Sequence, residues 1–526
     1  MAFPKQQTYA QETGQNVFQT CSRLALPLTW CLAVLLIISI IIFAGTTFRW
    51  PIVLDPPLYN YIAWLMTQGA VPYRDVFDNN LPGVYVIHFL VVKFLGDGDL
   101  AWRFFDLLCL ILINIATFLY CSRFGRLSAL TAAALFSAFH LYNGPLCAGQ
   151  RDYILIVFIM WGIYFYQKYR ESNGNQVYFV LTGLLLGAGI TIKPFVGFWC
   201  ALFLLLTIVS DYRKPKYCFR HCALYVIGCS AATIAVSGWL WRANALQPFI
   251  DIFYNYLIPL YPKLQPYNIS GGLKINLLGM PISLLLGIVL VLGIGDLLIS
   301  REKVLNRLIL VCGIIYGLLH YALQRKGFLY HLYPAVLFAF LLSASWLEYV
   351  KQKRFSVLHM AMLCLTFYLM VGLLYCSAKN IFIKPPIYFD VSPFPSMLVS
   401  DLAGRVPQNE TVQSMEALGD GILCLLNLHI RQPTRFIHDV YFYYDIKNPY
   451  VQGLRNEFLH ALKEAPPLFI IFIKNGWPIY GYERVNLFPE LNDWLHANYT
   501  LDREREAYRL YKRKEGLKGF APALME

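Results

Sequence analysis

Charged residues are scarce: Asp, Glu, Lys and Arg make up 14% of the 526 positions, against about 25% in soluble domains. With 57% of residues hydrophobic, the deficit excludes an ordinary soluble enzyme and fits a polytopic membrane protein. Metal-binding patterns are also missing. The chain has 13 cysteines but no CxxC pair and no Cys/His spacing suited to zinc. Cys109, Cys200, Cys229, Cys312 and Cys364 lie inside apolar runs, as small core residues do. Walker, GxGxxG, HExxH and GxSxG sequences are absent, which argues against P-loop energy coupling, dinucleotide binding, zinc proteolysis and a nucleophile-elbow hydrolase. No internal repeat or low-complexity tract occurs. Residues 1–25 are polar and lack a signal-peptide cleavage pattern, so the first apolar run is expected to stay as an anchor.

The formal net charge of +13 could point to nucleic acid, but its placement argues against that partner. Lys and Arg cluster in short loops between apolar runs, at Arg213-Lys214-Pro215-Lys216, Arg301-Glu302-Lys303 and Lys351-Gln352-Lys353-Arg354, where they set membrane orientation. A spanning helix needs roughly 20 apolar residues. Spans are predicted near 26–46, 101–121, 127–142, 152–168, 177–191, 194–210, 221–241, 276–299, 306–324, 329–349 and 356–376, about eleven in all. Counting 82–96 as a further span would put the basic loops outside. With its Pro82-Gly83 breaker, His88 and Lys93, it is expected to be an interfacial helix. The reading is a mainly α membrane protein: a cytoplasmic segment 1–25, a transmembrane domain 26–377 with a first outer loop 47–100, and a small extracytoplasmic α/β domain 378–526. In that tail, Asn448-Pro449 leads a helix over Val451–Ala465, Pro466-Pro467 ends it, and Leu468–Ile473 and Tyr508–Tyr511 read as strands.

The chemistry is concentrated on the predicted outer side. Charges near hydrocarbon are costly, and those retained usually act on a substrate or ion. Asp55 opens a helix in which Tyr59, Ile62, Ala63 and Met66 recur at helical spacing, as in a helix lying along the membrane surface. The competing reading makes Asp55 an N-cap before Pro56-Pro57. Asp152, in Gly149-Gln150-Arg151-Asp152, is either a carboxylate favoured by a helix dipole or a second acid facing the same cavity. Two such carboxylates could orient an acceptor, take its proton or hold a divalent cation. Lys193-Pro194 and Arg325-Lys326, with Tyr330 and His331 close behind, supply groups for phosphate oxygens and hydrogen bonds. Tyr73, Arg74, Asp75 and Asp78 are expected to form a local salt-bridged loop. The inner loops are too short for a nucleotide-sugar domain, so any sugar transferred here should come from a lipid-borne donor used outside.

These motifs resemble the membrane-embedded GT-C glycosyltransferases, in the branch with protein O-mannosyltransferases and the lipid A aminoarabinose transferase. The resemblance rests on Asp55 with Tyr59, Val71-Pro72-Tyr73-Arg74-Asp75 through Pro82-Gly83, Gln150-Arg151-Asp152, Lys193-Pro194, and Gln324-Arg325-Lys326-Gly327-Phe328 with Tyr330-His331 and Pro334. It covers roughly residues 25–350. It implies a polyprenyl-phosphate sugar donor, inverting transfer, and a glycan, lipid or protein acceptor arriving from outside. By resemblance Asp55 is the catalytic carboxylate and Asp152 supports it, while Lys193, Arg325 and Lys326 hold the departing phosphate. Tyr59, Tyr73, Arg74, Asp75, Asp78, Arg151, Tyr330 and His331 are the other expected substrate contacts. Many relatives follow the first aspartate with another acid, whereas Pro56 follows here, so Asp75 or Asp78 could share its work. No cofactor is expected, and a divalent cation is left open. The rival readings are a flippase for lipid-linked glycans and a non-catalytic glycan-binding protein.

Overall fold

The computed structural model describes residues 5–264, 273–300, 303–351, 356–382, 394–477 and 479–517. Arg301, Glu302 and the basic run 352–354 lie outside them. The helices run α1 (Lys5–Thr46), α2 (Asp55–Thr67), α3 (Pro82–Leu95), α4 (Asp99–Cys121), α5 (Arg126–Tyr142), α6 (Arg151–Glu171) and α7 (Gln176–Ile190). They continue with α8 (Gly197–Asp211), α9 (Pro215–Arg242), α10 (Leu246–Ile252), α11 (Ile282–Ile299), α12 (Val304–Gln324), α13 (Tyr333–Ser345) and α14 (Val357–Phe382).

Ten of the predicted spans are helical throughout or nearly so, while in the span predicted over 276–299 residues 276–281 form a short hairpin and the helix starts at Ile282. Among the described residues, eight helical segments are long and apolar enough to cross a membrane. The other three are α5 and α7, of 17 and 15 residues, and α6, whose ends carry Arg151, Asp152, Lys168, Arg170 and Glu171. The 14 residues of α3 span about 21 Å, too little to cross a hydrocarbon core.

Apolar surface drives little association inside lipid, so close backbone approach matters. Gly183 and Gly187 of α7 provide it: a Cβ there would sit 2.6 Å from the Tyr225 carbonyl oxygen and 2.1 Å from that of Cys229 on α9. Helix α13, buried from Tyr333 to Ser345, is the central post, with α5 and α12 packed on it. Two buried arginines are paired. Arg307 bridges Asp296 at 2.9 Å and also bonds Glu348. Arg103 pairs with Asp106, which also accepts from the Gly149 amide at 2.6 Å and lies 3.2 Å from His140 Nε2. Asp106 thereby fixes the loop that enters α6.

The first loop departs from expectation at helix α2. Helix α2 does not lie bare on a membrane surface: Pro56 through Trp64 are all buried. One side packs on α3 and another on α16 (Asp420–Asn427), a helix of the C-terminal unit, so protein covers the apolar stripe that the sequence assigned to lipid. Tyr61 Oη donates to the Ile430 carbonyl at 3.0 Å, and Phe77 forms a parallel backbone bridge with Phe436, its amide donating to the Arg435 carbonyl at 2.8 Å.

The C-terminal unit begins, among described residues, with α15 (Phe394–Leu402) and is built on four strands. A two-residue hairpin pair, β1 (Asn276–Leu277) and β2 (Met280–Pro281), precedes it in the chain. Strands β3 (Val412–Met415), β4 (Phe469–Ile473), β5 (Tyr499–Glu504) and β6 (Tyr508–Arg513) pair in the order β3-β4-β6-β5. The β3–β4 pair is parallel, Val412 facing Phe469, and needs a crossover, which α16 and α17 (Pro449–Glu464) supply. Strand β4, Phe-Ile-Ile-Phe-Ile, is buried throughout, as a central strand should be. The expected helix start holds: Asn448 accepts from the Tyr450 amide at 2.9 Å, with Pro449 in the first turn.

This unit carries a pH-sensitive acid. Glu416 is fully buried, accepting from Ser414 Oγ and from the Gly421 and Ile422 amides. Burial, aided by Asp420, pushes its carboxyl from an ordinary 4.5 up to about 7. The folded state therefore favours the protonated form. Its contribution is complete below about pH 4.5 and is lost as pH rises through 7, at a cost of about 3 kcal/mol at most. The melting temperature of the detergent-solubilised protein should fall over that window, and Glu416→Gln should flatten the fall.

Candidate active site

Asp55 occupies the first position of α2, after Leu54, which is held at φ 64°. Positive φ in a leucine is strained and persists only where its surroundings enforce it. The enforcing contact comes from the C-terminal unit. Gly419, itself at φ 89°, packs so closely that a Cβ would lie 2.7 Å from the Leu54 carbonyl oxygen. Gly419→Ala should destabilise the protein by about 1–3 kcal/mol, from backbone strain and collision together. A thermal melt of the solubilised variant reads this directly.

Instead of acting as a cap, Asp55 forms an ion pair with Arg151, Oδ2 accepting from Nη2 at 3.2 Å. The guanidinium of Arg151 lies 5.2 Å from the Tyr59 ring centre, and its Nε is buried with no hydrogen-bond partner among the described residues. Tyr330, Tyr261 and Tyr59 are all in electrostatic range of this pair.

Asp152 follows Arg151 on the first turn of α6, and successive helical positions diverge by about 100°. It therefore enters a second cluster. Lys193 Nζ donates to both its oxygens at 2.9 Å. His320 Nε2 lies 2.5 Å from Oδ1, Gln324 Nε2 donates to Oδ1 at 3.1 Å, and His331 Nε2 is 3.9 Å from Oδ2. Lys193 also bonds Gln324 Oε1. The two carboxylates differ in access. The Asp55 side chain is 28% exposed and that of Asp152 is 0% exposed. Asp55 can meet a substrate, whereas Asp152 is fully engaged in joining α6, α12 and the turn before α8.

The first loop adds Asp78. Its Oδ1 accepts from the Asn79 amide and from Asn80 Nδ2, while Oδ2 is buried without a partner among the described residues. Burial raises its carboxyl above the usual range. Tyr73 Oη donates to the Asn80 carbonyl at 2.7 Å, and its ring meets Tyr85 edge-on at 5.6 Å. The expected salt-bridged loop forms only in part. Arg74 pairs with Asp75 at 2.8 Å and donates to the Ala243 carbonyl, Asp75 accepts from the Val71 amide, and Asp78 takes no part.

Past α12 the basic turn divides. Arg325 is exposed at φ 56°. Lys326 is buried, donating to the Tyr261 carbonyl at 2.9 Å and lying over the rings of Tyr261 (4.4 Å) and Trp477 (5.1 Å). Burial pulls its amine down to about 8. The structure thus joins Asp55, Tyr59, Arg151, Asp152, Lys193, Tyr330 and His331 into adjoining clusters, with Tyr73 and Asp78 beside them. Arg74 and Asp75 are closed on each other. Sequence reading passed over His320 and Asp106. His320 and Gln324, four apart at the end of a span ahead of Arg325, were the available signal. No group of three or more metal-ligating side chains occurs among the described residues.

An apolar groove of about 300 Å³ lies between α3, α4 and α6, lined by Ile87, Val91 and Phe94 of α3, Phe105 of α4, and Ile154 and Phe158 of α6.

Residues 79–241 match the model of the dolichyl-phosphate-mannose-protein mannosyltransferase family, just under a third of the chain. No curated protein matches by sequence. Among solved structures, ArnT from Cupriavidus metallidurans bound to undecaprenyl phosphate aligns at 13% identity over 93% of this chain and 99% of its own, with a TM-score of 0.49. The archaeal oligosaccharyltransferase AglB from Archaeoglobus fulgidus, in complex with an inhibitory peptide and a dolichol-phosphate, aligns at 11% identity over 92% and 74%, with a TM-score of 0.47.

Proposed function

We propose that this chain is a membrane glycosyltransferase of the GT-C type, transferring a sugar from a polyprenyl-phosphate donor to a glycan, lipid or protein acceptor on the extracytoplasmic side. The observation that carries this reading is the pairing of a partly exposed Asp55 with Arg151 beside the buried Asp152–Lys193 cluster. It occurs in a chain whose residues 79–241 match a family named for a polyprenyl-phosphate sugar donor.

In this reading the acceptor hydroxyl attacks the anomeric carbon of the donor sugar. The carbon–oxygen bond to phosphate breaks with inversion, and Asp55 takes the hydroxyl proton. Arg151, with unused donors on its guanidinium, holds the phosphate and offsets the charge that it gains on leaving. Lys193 contributes from behind, its charge already shared with Asp152. The groove between α3, α4 and α6, lined by apolar side chains, receives isoprene units of the donor. The C-terminal α/β unit lies outside the membrane and covers the acceptor side.

The test gives the purified protein a polyprenyl-phosphate hexose labelled in the sugar, together with an envelope-derived acceptor. Label joined to the acceptor through a glycosidic bond supports the reading. Label that crosses reconstituted vesicles without forming such a bond would make the protein a carrier.

A further inference from the structure

The C-terminal unit does more than cover α2. The segment after its Phe436 bridge carries His438 and Tyr441 back over the first loop. His438 is in electrostatic range of Asp78 first and Asp55 second. The ring of Tyr441 meets Phe77 at 4.7 Å and Tyr256 at 5.2 Å, both edge-on. Two phenol oxygens here, Tyr441 Oη and Tyr256 Oη, are buried without partners among the described residues, while His438 lies within reach of the Ala417 carbonyl and Asp78 within reach of the Tyr85 hydroxyl. Asp78, Tyr256 and Tyr441 are each about 1% exposed. Buried polar groups are nearly always satisfied, so two adjoining phenols without partners, beside an imidazole and a carboxylate with bonding capacity to spare, call for a partner that brings its own hydrogen bonds.

The chemistry of these atoms narrows the partner. Phenols and an imidazole can both donate and accept, and the carboxylate accepts. A phosphate would meet Asp78 and Asp55 with like charge, and a divalent cation would need a shell of oxygens rather than this mixture. A sugar ring presents hydroxyls that donate and accept, and a C–H face that lies against aromatic rings such as Phe77 and Tyr441.

We propose that His438, Tyr441, Asp78 and Tyr256 form a sugar-binding subsite, half of it supplied by the C-terminal unit, which binds the hydroxyls of a hexose presented to Asp55. The proposal rests on the glycosyltransferase reading for the identity of the ligand. The same ring chemistry belongs to the donor sugar and to a glycan acceptor, and the experiment separates the two.

The full-length protein in detergent, as wild type, His438→Ala and Tyr441→Phe, is titrated with a polyprenyl-phosphate hexose and with the same polyprenyl phosphate lacking the sugar. Tyr441→Phe removes one oxygen and keeps the packing, so it still tests the idea if His438→Ala folds poorly. If the subsite holds the donor sugar, each variant weakens binding of the hexose lipid by about tenfold and of the bare lipid by less than twofold. If it holds an acceptor, both lipids bind as in wild type, while KM for a glycan acceptor rises by about tenfold and kcat changes little. Equal weakening of both lipids, or no change in any of the three quantities, overturns the subsite. Absence of transfer by the wild type would sink the glycosyltransferase reading instead, and the two binding titrations would still report on His438 and Tyr441.

Discussion

Asp55→Asn is expected to lower sugar transfer by about 10²- to 10⁴-fold, the range that a positioned general base contributes. The substitution keeps the shape of the side chain and an oxygen that can still accept from Arg151, which lies 3.2 Å from the native carboxylate. It removes only the capacity to take a proton and the charge that balances the guanidinium. The pair is partly exposed, and exposed pairs contribute little to stability, so the melting temperature should move by no more than a few degrees. Loss of transfer at an unchanged melting temperature would assign the proton to Asp55. Activity within tenfold of wild type would remove Asp55 from the chemistry, with Asp78 the next carboxylate to replace.

The second large effect is on the fold. Lys193→Met should destabilise the protein by about 3–5 kcal/mol, because it leaves the Asp152 carboxylate buried without its cation. His320 and Gln324 bond the same carboxylate but do not bring a permanent charge. Asp152→Asn together with Lys193→Met should recover much of the loss, since two neutral side chains need no mutual compensation. A double-mutant cycle on melting temperatures measures the coupling. Equal and additive losses in the two single variants would mean that the pair does not join α6 to its neighbours.

The helices were legible in the sequence because hydrocarbon demands long apolar runs, and each of the eleven predicted runs contains a helix, the one over 276–299 only from Ile282 onward. The turns at Lys193 and Arg325 were legible because basic residues broke the apolar runs there. What was not legible depends on contacts between distant parts of the chain. Helix α2 has the stripe of a surface helix, and nothing within it announces that Gly419 and α16 will cover it. Strand β3 reads Val-Gln-Ser-Met, and its buried Gln413 and Ser414 are held by Gln432, so no apolar run marks it. Strand β5 is largely exposed and polar. Asp152 was found, but its closure by His320 and Gln324 was not, because 168 residues separate it from His320.

The bridge between Phe77 and Phe436 is made through the main chain and so does not depend on which side chains flank it. Substitutions that keep the buried rings of Phe77 and Phe436 should leave the two segments aligned. A single-residue insertion between Asp75 and Asp78 is another matter. Extended backbone alternates faces at every step, so one added position would turn Asp78 away from the histidine opposite while leaving the composition of the loop almost untouched. Along this seam, length is under tighter constraint than lettering.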